Sequence, residues 1–150
     1  MSNIQYVFID DTQKPTKNQL EAYVAAVGYT IEIDQGWDDP KWMGFLPCKL
    51  NGELDAGCEV AFGPITEITQ DIEDEDELER FSGLVQGTNY FIELGWHSDY
   101  LGGATAALLA AALMKACEAI SSYEAEEPDS FDSLMESAKW HIDEYKKERK

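Results

Sequence analysis

The alternation of polar and apolar positions along this chain changes period several times, and each change marks an element. Residues 4–9, Ile-Gln-Tyr-Val-Phe-Ile, are rich in β-branched and aromatic side chains and apolar on both faces, the pattern of an inner strand. After a polar turn, Thr16 and Gln19 have the spacing of a capping box, in which the hydroxyl and the side-chain amide satisfy free backbone amides at a helix start. Leu20, Tyr23, Val24 and Val27 follow at i, i+3, i+4 and i+7, an apolar stripe that predicts a helix stopped by Gly28. Residues 29–34 alternate, with Ile31 and Ile33 inward and Glu32 and Asp34 outward, as in a half-buried strand.

Two further strand-like runs, residues 44–50 and 54–62, flank Asn51-Gly52, the preferred pair for a type I′ hairpin turn. Pro47 has no amide to donate, so the first arm is expected at an edge or with a bulge, and Gly57 weakens the second. Residues 84–94 predict a fifth strand ending near Trp96, followed by a turn-rich joint over 95–103. Residues 104–120, dominated by alanine and leucine, predict a helix buried nearly all round. Its uninterrupted apolar stretch, residues 106–114, falls well short of the roughly 20 residues a bilayer crossing needs. An acidic connector over 121–130 leads to a second capping signature, Ser133 with Glu136, and a last helix with Phe131, Leu134, Met135, Ala138, Ile142 and Tyr145 on its inner face. Because the strands come mainly before the two long helices, residues 1–150 are expected to form a single α+β domain. Its plan is a mostly antiparallel sheet of about five strands, packed by the buried alanine-rich helix and the C-terminal amphipathic helix.

Charge narrows the possible partners. The chain has 30 acidic and 11 basic residues, a net charge of -19, with 44% hydrophobic residues to supply a core. Binding a phosphate backbone requires clustered Lys and Arg, and the only arginines are Arg80 and Arg149, so no nucleic-acid role is expected. An anionic membrane surface is disfavoured by the same repulsion. No basic residue precedes Lys14 and the first apolar run is too short for a signal peptide, so a cytoplasmic location is expected. Four of the basic residues lie in 146–150, where cations complement the negative end of a helix dipole. Cys48, Cys58 and Cys117 are odd in number and have no CxxC spacing, so they are expected as reduced, buried thiols.

Catalytic signatures are absent. In Gly95-Trp-His-Ser-Asp99, three successive residues do not aim at one atom, so Ser98 or Asp99 is expected to cap a helix with His97 at a strand end. His141 lies at the edge of the inner face of the last helix and is expected to be packed. No zinc spacing joins the two histidines, the acidic block at 71–79 has no glycine for a calcium loop, and no glycine-rich phosphate cradle occurs; neither metal nor cofactor is expected.

What remains is recognition of a basic protein. Residues 35–42 combine apolar anchors, Trp37 and Trp42, with Asp38 and Asp39, unless the tryptophans simply plug the core while the acids stay solvated. Residues 71–79 hold seven acids in nine positions, expected as a solvated loop or frayed helix. Asp71, Glu73, Asp74, Glu75, Asp76 and Glu77 are therefore candidates for steering a basic partner. The alternative is a small enzyme or ligand-binding domain with a pocket near Trp96, His97 and Asp99. The general plan, with the hairpin at 44–53 and the alanine-rich segment at 104–120 as its most recognisable parts, resembles the small acidic α+β immunity proteins of bacterial toxin systems. That resemblance implies a non-enzymatic protein that covers the active site of a basic, nuclease-like toxin, and it carries over no binding residue by position.

Overall fold

Six strands hydrogen-bond into one sheet in the computed structural model, which describes residues 2–148. They are β1 (Asn3–Ile9), β2 (Ile31–Ile33), β3 (Met43–Leu50), β4 (Leu54–Pro64), β5 (Tyr90–Trp96) and β6 (Ile120–Tyr123), in the spatial order β2-β3-β4-β5-β1-β6. Every pairing is antiparallel. The helices are α1 (Lys17–Ala26), α2 (Thr66–Thr69), α3 (Glu75–Leu84), α4 (Tyr100–Cys117) and α5 (Phe131–Glu148). The architecture is α+β.

The two sheet faces are covered unequally. Val7, Ile9, Leu46, Cys48, Val60, Ile92 and Leu94 point to the side where α1, α4 and α5 pack, and α4 is buried there over most of its length. On the opposite side Phe81 and Val85 bring α3 down onto Phe8 and Phe91, with Ile65 beside them. Strand β1 is apolar on both faces at Val7, Phe8 and Ile9, where helices lie on both sides of the sheet. Among the described residues, no helix covers the rest of this second face, over β3 and β4, where Met43 and Phe45 are exposed.

Four boundaries differ from expectation, each for a local reason. Helix α4 starts at Tyr100 because the Asp99 carboxylate accepts from the Gly102 amide at 2.8 Å, so part of the expected joint is helical. It stops at Cys117, where Glu118 takes a left-handed φ of 52°, and the chain turns back as a sixth strand where the helix end and connector were expected. The last helix is capped by Ser130, not Ser133: the Ser130 hydroxyl accepts from the Ser133 amide at 3.0 Å. Residue 84 belongs to α3, since Phe81, Leu84 and Val85 share the stripe that docks on the sheet, and β5 begins only at Tyr90. Of the basic C-terminal cluster, Arg149 and Lys150 lie outside the described residues.

The hairpin resolves both of its sequence anomalies. The Pro47 carbonyl accepts from Asp34 N at 3.1 Å on the β2 side, so the missing donor of Pro47 faces the flank where β2 has ended. Strand β4 extends past the last β5 pair, Glu59 with Gly95, which would leave the buried Gly57 amide without a partner. Thr105 of α4 supplies one: its hydroxyl accepts from Gly57 N at 3.2 Å and donates to the Leu101 carbonyl at 2.8 Å.

All three cysteines are free and buried, and burial pushes the Cys48 thiol up to about 12 and the Cys117 thiol up to about 11, with Cys58 also well above the ordinary value. Thiolate is the reactive form, so a disulfide reagent at pH 8 should label essentially no thiol in the native protein and all three in urea. Fast labelling of any cysteine under native conditions would contradict this packing.

Candidate functional site

The loop at 35–42 closes the core. Trp37 is fully buried, its indole nitrogen donates to the Pro15 carbonyl at 2.9 Å, and its ring meets Phe62 edge-on at 5.2 Å. Lys14 caps the pair, donating to the Trp37 carbonyl at 2.7 Å with its ammonium 3.7 Å from the Phe62 ring centre. Burial lowers the Lys14 pKa, although Asp38 and Asp39 oppose the shift. Trp37 therefore plugs the core, one of the two alternatives the sequence left open: an indole that fills the core has no surface left to present. Trp42 is half-buried against Gly36, with its indole nitrogen donating to the Gly44 carbonyl at 3.2 Å. The neighbouring acids hold the loop, since Asp38 accepts from the Lys17 amide and Asp39 from the Lys41 amide, each at 2.9 Å.

The acidic block is likewise partly structural. Asp74 caps α3 by accepting from the Asp76 amide at 2.9 Å, and Glu75, Asp76 and Glu77 occupy the first turn, where negative charge complements the helix dipole. Asp71 and Glu73 precede the helix and are exposed. His97 is exposed at the end of β5, and its carbonyl accepts from the Asn3 side-chain amide at 2.7 Å. The Asp99 carboxylate is engaged as the cap of α4, accepting from the Gly102 amide.

A different surface comes from the strand register. On the side away from α4, β3 to β4 to β5 to β1 sets Phe45, Glu59, Gly95 and Ile4 in one row and Met43, Ala61, Glu93 and Tyr6 in the next. The third row, Gly63, Phe91 and Phe8, lies under α3. The first two rows are open at Met43, Phe45 and Glu59, while Tyr6 at the far end packs beside Phe8. Met43 is 83% exposed and Phe45 55% exposed, unusual values for large apolar residues within one strand. A hollow of about 300 Å³ lies over this face, with Ile4, Met43, Glu59, Ala61, Glu93 and Gly95 among its walls.

Comparison with protein-family models, curated proteins and solved structures found no match. Function therefore rests on the chemistry of the chain's own surfaces.

Electrostatically, the open face is acidic and half-dry. Desolvation raises the Glu93 pKa, against an opposing hydrogen bond from Tyr6, and desolvation with the Glu93 charge pushes the Tyr6 phenol up to about 12. A carboxyl whose pKa rises on folding holds its proton more tightly in the native state. Its ionisation therefore costs stability as pH climbs from the unfolded value through the folded one, and the cost persists at neutral pH. Lys49, on the same face, is already paired with Asp55 at 3.3 Å.

A second hollow, of about 390 Å³, lies on the helix side between Trp96, Tyr123 and His141. Its polar groups are engaged with one another. Gln5 donates to Ser121 and Asp129 at 2.8 and 2.7 Å, Asp129 also accepts from Tyr123 N, and the Tyr123 hydroxyl donates to Asn3. The His141 ring nitrogen Nδ1 lies 2.8 Å from the Ser137 carbonyl. The side-chain bonds of Gln5, Tyr123 and Asp129 tie β1 to β6 and to the connector that precedes α5.

The sequence reading missed Met43, Phe45, Glu59 and Glu93. The available signal was parity: in β3, Leu46, Cys48 and Leu50 point inward, so the apolar Met43 and Phe45 fall on the outward phase.

Proposed function

We propose that this chain is a non-enzymatic binding module for a basic protein, and that the open half of its sheet is the docking face. The observation that carries the reading is the juxtaposition, on one face, of exposed Met43 and Phe45 with Glu59 and Glu93, on a chain of net charge -19. Apolar anchors supply contact energy once docked, and surrounding carboxylates steer and orient a cationic partner. Asp71, Glu73, Glu75 and Glu77 of the acidic block contribute to the long-range field. Between Met43 and Leu46, β3 also has no strand on its outer side among the described residues, which leaves an edge beside the same face. The resemblance to small acidic immunity proteins points to a nuclease toxin as the partner, held with its cationic active-site surface covered.

A photo-crosslinking residue at position 45, expressed in the source cells, tests this. The expected product is a single cross-linked protein of basic pI, absent when the same residue is placed at Tyr23 on the helix side. Affinity for that purified partner should fall as salt rises, because exposed charges are screened within about 8–10 Å in ordinary buffers. If it is a nuclease, the chain should inhibit it at one-to-one stoichiometry. An acidic cross-linked partner, or equal products from both positions, would overturn the reading.

A further inference from the structure

We propose that the hollow on the open sheet face is a socket for one arginine side chain of the basic partner, an inference that rests on the docking face described above. The argument comes from four neighbouring positions. Glu59 pairs with Gly95 and Ala61 pairs with Glu93, so β4 and β5 form a small square with carboxylates at two opposite corners. Diagonal neighbours on adjacent strands have Cβ atoms about 7–8 Å apart or somewhat less, so the two flexible carboxylates can close on a cation held between them. The other two corners are a glycine and an alanine, so nothing fills the space between the acids. Met43 and Ile4 rise at the sides of the hollow and match the aliphatic part of a long cationic side chain.

The size and charge fit the same occupant. A volume of about 300 Å³ is at the bottom of the ~300–1,000 Å³ range of ligand pockets, which suits one inserted side chain better than a larger molecule. Among the described residues, neither Glu59 nor Glu93 belongs to any of the ion pairs, which join Lys17 to Glu21, Lys49 to Asp55, Lys139 to Asp143 and Lys147 to Glu144. Glu93 is also half-withdrawn from water by its neighbours, so it lacks part of its hydration as well as a counter-charge. A guanidinium offers several donors in a planar fork and is weakly hydrated, which makes it the cation best suited to two carboxylates at a partly dry site.

Gly95 makes the test clean. A Cβ added there would meet nothing nearer than 3.6 Å, and the residue is not among those with positive φ, so Gly95→Val should fold while filling the socket. The probe is N-acetylarginine methylamide at millimolar concentration, followed by amide chemical shifts, with the neutral citrulline analogue as control. The arginine probe should shift the Gly95 and Ala61 amides saturably and the citrulline probe should not. Glu59→Gln and Glu93→Gln should each weaken binding several-fold, and Gly95→Val should abolish the shifts without lowering the melting temperature. Equal shifts from citrulline, no saturable shift, or shifts confined to residues 71–79 would overturn the socket. If a basic partner cross-linked at position 45 binds the Gly95→Val protein with unchanged affinity, the socket fails while the docking face stands; if no basic partner is found, the docking face itself fails.

Discussion

Replacing Trp37 with alanine should destabilise the fold by about 3–5 kcal/mol, the usual cost of truncating a fully buried aromatic ring. Trp37 has no exposed surface, and its removal would open a cavity against Phe62 while leaving the buried Pro15 carbonyl without its donor. It would also withdraw one of the two rings beneath the Lys14 ammonium. Against a typical domain stability of about 5–15 kcal/mol, such a loss brings the protein close to unfolding at ordinary temperature. Trp37→Phe separates the two causes: it keeps most of the ring and loses the hydrogen bond, so about 1–3 kcal/mol is expected. Trp42→Ala should cost less than Trp37→Ala, because Trp42 is only half-buried. Urea unfolding curves on the three variants decide the matter, and a Trp37→Ala cost below that of Trp42→Ala would sink the core-plug account. The same series shows why an aromatic residue between acids misleads. The Asp38 and Asp39 carboxylates are tied to the amides of Lys17 and Lys41, so this loop orders the start of α1 and closes the core.

Where sequence and structure agree, the period of the side chains was set by burial that a helix or strand imposes locally. The Thr16 and Gln19 capping box forms both of its reciprocal bonds, at 3.2 and 2.9 Å, because everything it needs lies within four residues. The doubly apolar β1 was legible for a similar reason, since Val7 and Phe8 meet helices on opposite faces. Strand β6 was hidden because its buried positions are Ser121 and Ser122, which give no apolar alternation. Their burial is made possible by carbonyl partners: Ser121 donates to the distant Tyr6 carbonyl at 3.0 Å, and Ser122 to the Glu127 carbonyl across the following turn at 2.8 Å. Arg80 then holds the following turn by donating to the carbonyls of Ala125 and Glu126 at 3.0 and 3.1 Å. None of these bonds has a spacing that a single sequence reveals. The site was obscured by the same limit. A capping acid and a free acid look alike in a charge run, and which sheet face stays open depends on where α3 lands, a tertiary outcome of Phe81 and Val85 meeting Phe8 and Phe91.

Gly103→Ala should lower stability in the wild-type protein and raise it when His141 is alanine. Gly103 lies in the first turns of α4, where α5 crosses closely, and a Cβ there would overlap the His141 ring. Contacts on several sides hold the ring, which can yield only toward the hollow beside it. Trp96 and Trp140 meet it edge-on at 6.1 and 5.0 Å, Tyr100 lies at 6.4 Å, and its Nδ1 is within hydrogen-bond distance of the Ser137 carbonyl. Overpacking of this kind costs about 1–3 kcal/mol. Acting the other way, alanine is favoured over glycine in a helix by about 1 kcal/mol, so the wild-type background should show a net loss. With His141→Ala the obstruction is gone and only the helix preference remains, so the sign of the glycine substitution reverses. A double-mutant cycle read by urea unfolding should therefore give a coupling of about 0.5–3 kcal/mol between positions 103 and 141. Equal effects of Gly103→Ala in both backgrounds would mean that α5 adjusts freely on α4. A reversed sign would show that the glycine is kept for the close approach of the two helices, and that the alanine-rich character of α4 reflects the same demand for short side chains where other elements press against it.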